Sequence, residues 1–327
     1  ARIGGVELAL LIQEQAPEEA LVLADKLLAT LAELRTNSGT ALPAAHIGIG
    51  IRSPVIDTPA KLLAQADMAL RAAQSTGKFA RFMCRQEASA QVVHGAAEWR
   101  RLLDRALQTN SLVLHQQPVF DAESMAIIYH ELLARIANDD GRLISAGVFM
   151  PIAQRAGMAQ DFDKLIIRNA LNNLPPGDAR YALNLSKDAI LDATFAAWLR
   201  RTLLKQPQQA ERILLEFPEQ IAVDHPEQLA HLIDILAPTG CRFGFDRVGV
   251  APDALVRIRH FQPWVIKADG SLIQGLGENP AKRTLLQMIQ ALAQELGCLF
   301  VVSGVETREQ LEQLRETASG GAFRGNF

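Results

Sequence analysis

The chain has 327 residues, 49% of them hydrophobic, which is enough for one large α/β domain and a smaller unit. A formal net charge of -3 leaves no basic footprint, so nucleic acid is not an expected partner. Three widely separated cysteines, Cys84, Cys241 and Cys298, with no Cys-x-x-Cys pair, argue against a zinc site and fit a reducing compartment. No apolar run approaches the roughly 20 residues of a membrane span, and Ala1-Arg2-Ile3-Gly4-Gly5 is no signal peptide. The expected location is the cytoplasm, either free or as the cytoplasmic part of a larger, membrane-anchored protein.

In chain order, residues 1–85 alternate strand and helix. Val6 to Ile12 and Ala45 to Arg52 read as strands, and Glu18 to Leu34 and Pro59 to Ser75 as helices. Residues 86–96 turn polar and small and read as a linker. From 97 to 327 an amphipathic helix, Glu98 to Thr109, precedes eight strand candidates: Leu112 to Phe120, Ala126 to Ile136, Tyr181 to Ser186, Ile213 to Phe217, Arg242 to Arg247, Trp264 to Asp269, Leu299 to Val305 and Gly321 to Phe327. Helical patterns separate most of them. The string predicts an α/β fold with a parallel (β/α)8 TIM-like barrel, although an open doubly wound sheet gives a similar string.

Period-two geometry then says what each strand delivers. Tyr129, Glu131, Leu133 and Arg135 share one face, where a buried Glu131/Arg135 ion pair is the plain reading of that strand alone. Asn184, Glu216, Asp246 and Lys267 come from four further strands, so five polar residues converge on one end of the predicted barrel. Three carboxylates and an amide oxygen are hard oxygen ligands suited to Mg²⁺, Mn²⁺ or Ca²⁺, and a neighbouring lysine can orient water or contact phosphate. A phosphodiester ligand follows from that set.

Two stretches resemble known families. Ala1-Arg2-Ile3-Gly4-Gly5-Val6-Glu7-Leu8, Ile47-Gly48-Ile49-Gly50 and Ala66-Asp67-Met68-Ala69 resemble the C-terminal half of a GGDEF (diguanylate cyclase) domain. Val6 stands where that family needs an acid, so cyclase activity is not expected. Residues 97–327 resemble an EAL domain, the cyclic di-GMP phosphodiesterase barrel. The motifs are Gln117-Pro118, Glu131-Leu132-Leu133, Asn184-Leu185-Ser186, Glu216-Phe217-Pro218-Glu219, Lys267-Ala268-Asp269, Gly304-Val305-Glu306-Thr307 and Gly325. The resemblance implies Glu131, Asn184, Glu216 and Asp246 as a single Mg²⁺ or Mn²⁺ site and Glu131 with Lys267 as the catalytic pair. It also implies Gln117, Arg135, Asp246, Asp269 and Glu306 as ligand contacts, to which the guanidinium groups of Arg247 and Arg324 would add donors.

Three positions depart from the EAL pattern. Arg247 replaces a second metal-bridging aspartate, Ser303 replaces a glutamate, and Arg324 replaces a glutamine. A guanidinium cannot ligate a metal, and Arg247 is expected to pair with Asp246 or Glu216 or to meet a phosphate. The tandem arrangement resembles LapD-type and FimX-type receptors. The expectation is therefore a catalytically silent cyclic di-GMP receptor that requires no cofactor. The alternatives are a weak Mg²⁺- or Mn²⁺-dependent phosphodiesterase producing linear pGpG, and a ligand-free scaffold. A homodimer and partner signalling proteins are further expectations, with the stretch 145–158, including Phe149 and Pro151, and the helix at 98–109 as candidate contact surfaces.

Overall fold

The computed structural model describes residues 2–4, 7–12, 17–34, 44–52, 62–63, 65–66, 69–70, 73, 79–83, 96–250, 253–318 and 320–325. They divide into two units, Ala1–Gly95 and Ala96–Phe327. In the first unit, β1 (Arg2–Gly4) and β2 (Glu7–Leu8) form an antiparallel hairpin, with Arg2 opposite Leu8. Val6 lies outside the described residues, as do the linker residues 86–95. Helix α1 (Pro17–Glu33) buries Ala24 and Leu28, four residues apart on one face. Strand β3 (Ala45–Ile49) pairs in parallel with β4 (Phe79–Met83), a strand that the sequence reading leaves out. Arg81 on β4 grips Asp25 on α1 through two hydrogen bonds of 2.5 and 2.7 Å. A Cβ at Gly48 would fall 2.1 Å from the Ala66 carbonyl oxygen, so only glycine lets β3 lie against that backbone.

In the second unit, α2 (Ala96–Thr109) buries Trp99, Leu102, Leu103 and Ala106, the spacing of one helical face. The eight expected strands are present as β5 (Leu112–Asp121), β6 (Ile127–Ala137), β8 (Tyr181–Asn184), β9 (Ile213–Pro218), β10 (Arg242–Val248), β11 (Val265–Ala268), β12 (Leu299–Ser303) and β13 (Ala322–Arg324). They close in the order β5-β13-β12-β11-β10-β9-β8-β6, and the β5–β6 pairing completes the cylinder. The short β7 (Leu143–Ser145) pairs only with the outer end of β6.

The expected all-parallel barrel needs one correction. Strand β5 runs antiparallel to both β6 and β13. Its connection to β6, residues 122–126, is too short for the crossover of about a dozen residues that a parallel neighbour requires. The Asp121 carboxylate fixes that turn by accepting from the backbone N–H groups of Glu123 and Ser124 at 3.2 and 2.8 Å.

Alternation along the strands sorts the core into two shells. Val119, Tyr129, Ala182, Leu214, Val265, Val301 and Ala322 fill the inside of the cylinder. Their sequence neighbours pack outward against helices that include α3 (Ala146–Arg155), α4 (Ala159–Asn173), α5 (Ala193–Leu204), α6 (Pro226–Leu236), α7 (Pro280–Glu295) and α8 (Arg308–Thr317). Phe149, offered above as part of a contact surface, is fully buried against Phe162 with ring centroids 5.0 Å apart, because α3 turns that face toward α4. No helix among the described residues is long and apolar enough to cross a membrane.

Candidate functional site

The polar residues of the barrel gather at the C-terminal ends of its parallel strands. Asn184 ends β8, Ser303 ends β12 and Arg324 ends β13, while Glu216, Asp246 and Lys267 sit near the ends of β9, β10 and β11. Glu131 reaches the same level from within β6, opposite Gln117 of β5. Strand register puts Gly244 beside Glu216 and Val265, so the β9 and β11 side chains flank a residue with no side chain. A Cβ at Gly244 would fall 2.2 Å from Val265 Cγ1, so glycine there makes room for the Val265 side chain.

Lys267 is the centre of the cluster and is fully buried. Its Nζ donates to Glu216 Oε2 at 2.5 Å, Glu131 Oε2 at 3.3 Å and lies 3.2 Å from Asp246 Oδ1. Arg324 adds a second cation, with Nη1 2.6 Å from Glu131 Oε2, and Asn184 Nδ2 donates to Glu131 Oε1 at 2.9 Å. The Tyr129 hydroxyl, buried beneath, donates to Glu216 Oε1 at 3.4 Å.

Burial and charge act against each other here. Desolvation raises the Glu131 carboxyl, but Lys267, Arg324 and the Asn184 hydrogen bond together hold it below the ordinary carboxylate value. Glu216 has no second cation. Its complete burial, with Glu131 and Asp246 nearby, outweighs Lys267 and pushes it up to about 8. Burial disfavours charge on Lys267 as well, yet three surrounding carboxylates raise it well above an ordinary lysine. Arg324 likewise stays cationic against its own desolvation because of Glu131, Asp246 and Glu216.

This arrangement does not fit a divalent cation. Both oxygens of Glu131 and both of Glu216 already accept from protein donors, which leaves Asp246 Oδ2 as the one carboxylate oxygen of the three without a recorded partner. Mg²⁺ and Mn²⁺ ask for several oxygen ligands at once. Among the described residues no group of three acidic, histidine or cysteine side chains is arranged to hold a metal ion. The four oxygen ligands expected from the sequence do meet, but around ammonium and guanidinium groups.

Two pairings expected from the sequence are different in the structure. Glu131 pairs with Lys267 and Arg324, and Arg135, four residues further along β6, leaves its buried Nε without a partner. Arg247 pairs with neither Asp246 nor Glu216: it is exposed, with φ +57°, where the β10–β11 register slips between Phe245 and Val248. Strand alternation is broken at that residue, and its side chain leaves the rim that Asp246 occupies.

The remaining predicted residues stand around the rim. Asp269 Oδ1 caps the following turn by accepting from Ser271 N–H at 2.9 Å. Glu306 is exposed ahead of α8, with its backbone N–H donating to Gln310 at 2.7 Å, and Gln117 lies opposite Glu131. Ser303 is buried with its Oγ unpartnered.

Sequence reasoning assigned no task to two residues that the structure brings into the site. Tyr129 was placed on the correct face, and the size of its buried ring is the signal that it supports Glu216. Glu219 belongs to the Glu216-Phe217-Pro218-Glu219 motif. Its buried carboxylate accepts from Gly249 N–H at 2.9 Å and Val250 N–H at 2.8 Å, tying down the loop that follows Asp246. A cleft of about 600 Å³ lined by Pro226, Ile233, Phe243, Arg257 and Phe261 lies on the outer layer and shares no residue with the cluster. The charged mouth therefore remains the candidate site.

Comparison with known proteins agrees with the geometry. The family profile described as "EAL domain" matches residues 100–318. The chain is 27% identical over 326 residues to the bifunctional diguanylate cyclase/cyclic di-GMP phosphodiesterase MucR of Pseudomonas aeruginosa, covering 96% of this chain and 47% of that protein. It is also 27% identical to the cyclic di-GMP phosphodiesterase PdeF of Escherichia coli, covering 63% and 28% respectively. The chain thus spans less than half the length of these curated relatives. Among solved structures, Vibrio cholerae LapD S helix-GGDEF-EAL bound to c-di-GMP superposes with a TM-score of 0.80 at 22% identity, covering 95% of this chain and 74% of that one. The FimX EAL domain from Pseudomonas aeruginosa bound to c-di-GMP superposes with a TM-score of 0.64 at 25% identity, covering 69% and 93%. With a closed barrel, the polar rim at its C-terminal mouth and a profile match over most of that barrel, the chain belongs to the EAL-domain family.

Proposed function

We propose that the barrel is a cyclic di-GMP receptor that binds its ligand without a divalent cation and does not hydrolyse it. The observation that carries this reading is the Arg324 guanidinium on Glu131 Oε2 at 2.6 Å, beside Lys267 on all three carboxylates. Two fixed cations neutralise most of the acid charge that would otherwise repel the ligand's two phosphodiester groups. Two-metal hydrolysis needs cations that stabilise both the attacking and departing oxygens, and the donor set is committed elsewhere.

Further support comes from donors that await an acceptor. Arg135 Nε and Ser303 Oγ are buried and unpartnered among the described residues. A bound phosphodiester would supply acceptors to such groups. LapD and FimX, whose structures are described as c-di-GMP complexes, share the fold. The reading implies a cytoplasmic barrel whose ligand state is passed to attached domains or to a partner protein.

The test is a calorimetric titration with cyclic di-GMP in EDTA and again in Mn²⁺, with linear pGpG followed in parallel. Saturable binding of equal strength in both buffers, without product, is the expected result. Turnover in Mn²⁺ would make the chain a phosphodiesterase, and neither binding nor turnover would leave a scaffold.

A further inference from the structure

The opposite mouth of the barrel carries a second concentration of positive charge. Arg180 precedes β8 by one residue and Arg242 opens β10, so each stands two residues below an inward-facing small residue, Ala182 and Gly244. Both guanidinium carbons lie over the Trp264 ring, 5.5 and 5.2 Å from its centroid. Arg212 joins the same end, over Tyr181 at 5.4 Å, and it is held by the carbonyl oxygens of Ala179 and Pro175 at 3.0 and 2.8 Å.

Arg212 is thus held by the protein, whereas Arg180 and Arg242, both only partly buried, are not. Among the described residues neither has a recorded ion pair or hydrogen bond, and Arg180 Nε is buried with no acceptor. Asp178, two residues before Arg180, is exposed and forms no recorded ion pair. Leaving the buried Arg180 Nε–H unpaired carries a desolvation cost that an acceptor would recover. Burial, and then the charge of Arg180, lower the Arg242 guanidinium below its ordinary value, as expected of two cations facing one space without an anion. Cation–π contact with an indole is a modest attraction and supplies no hydrogen-bond acceptor.

We infer that the floor of the barrel binds a phosphate-class oxyanion through Arg180 and Arg242, with Trp264 as the platform that holds both side chains in place. Guanidinium forks match phosphate geometry through paired N–H donors, and Trp264 closes the apolar interior above them. This site is independent of the mouth that bears Lys267 and of any ligand bound there.

The test is isothermal titration of the 327-residue chain with sodium phosphate at constant ionic strength, with phosphoserine as a parallel arm. Saturable one-site binding, with a dissociation constant of about 1 mM or tighter, is expected. Equal affinity for the two probes marks the free oxyanion as ligand, and tighter phosphoserine marks a phosphomonoester. The double variant R180Q/R242Q should weaken binding about tenfold or more, since it removes both charge-assisted donors. R242K should retain part of the affinity, R247Q at the other mouth should retain all of it, and thermal melts by circular dichroism check that each variant is folded. Absence of saturable heat, undiminished binding by a folded R180Q/R242Q, or an equal loss in R247Q would overturn the inference.

Discussion

Replacing Arg324 by glutamine removes the guanidinium from Glu131 while keeping a polar side chain of similar reach. At an effective dielectric of about 20, two unit charges about 4 Å apart interact by roughly 4 kcal/mol, and a dication doubles the repulsion. The Arg324 side chain is 25% exposed, so solvent screening brings the relief felt by a cation at Glu131 down to about 2–4 kcal/mol. That corresponds to a gain in Mn²⁺ affinity of about 30-fold to 1000-fold. Glu131 keeps Lys267 and Asn184, so the folded state should lose only about 1–2 kcal/mol and not the 3–5 kcal/mol of an orphaned buried charge. Calorimetry with Mn²⁺, or loss of the free-ion electron paramagnetic resonance signal, reads the affinity directly. R247D should gain little, because Arg324 still covers Glu131 and the side chain at 247 leaves the rim. Equal Mn²⁺ affinity in the parent and in a folded R324Q would refute the reasoning.

Asp163 on α4 is buried and hydrogen-bonded to Ser186, and desolvation pushes its carboxyl up to about 7. Its folded state therefore holds a proton that the unfolded chain releases near 3.8, so stability is full below about pH 4 and falls as pH rises toward 7. D163N should flatten that decline, worth at most about 4 kcal/mol, in melts recorded across the range; an unchanged slope would count against it. Y129F removes the hydroxyl 3.4 Å from Glu216 and should cost about 1 kcal/mol in urea unfolding, with no change in fold by circular dichroism. G325A would put a Cβ 1.5 Å from the Val305 carbonyl oxygen at the β13 end of the rim, so a loss exceeding about 3 kcal/mol, or failure to fold, is expected in the same assay.

The barrel was legible because its strands alternate over most of their length. Val265 and Lys267 point inward while Ile266 joins the outer core, as the period of two requires. The direction of β5 was also readable in principle, since residues 122–126 leave no room for a crossover helix. What escaped was pairing between distant positions. Arg324 lies 193 residues from Glu131, and nothing local says that its guanidinium reaches past the rim to that carboxylate. Arg247 misled because a register slip and a positive φ break the alternation on which its expected pairing depended. Glu219 was invisible as an anchor because its partners are backbone N–H groups of a loop 30 residues away.

A crystal structure of the chain grown with cyclic di-GMP in excess Mn²⁺ tests the central claim most directly. The expected result is ligand across the charged mouth, Arg324 still on Glu131, and no anomalous manganese peak among Glu131, Asn184, Glu216 and Asp246. One or two manganese ions seated there, with Arg324 displaced from Glu131, would contradict it.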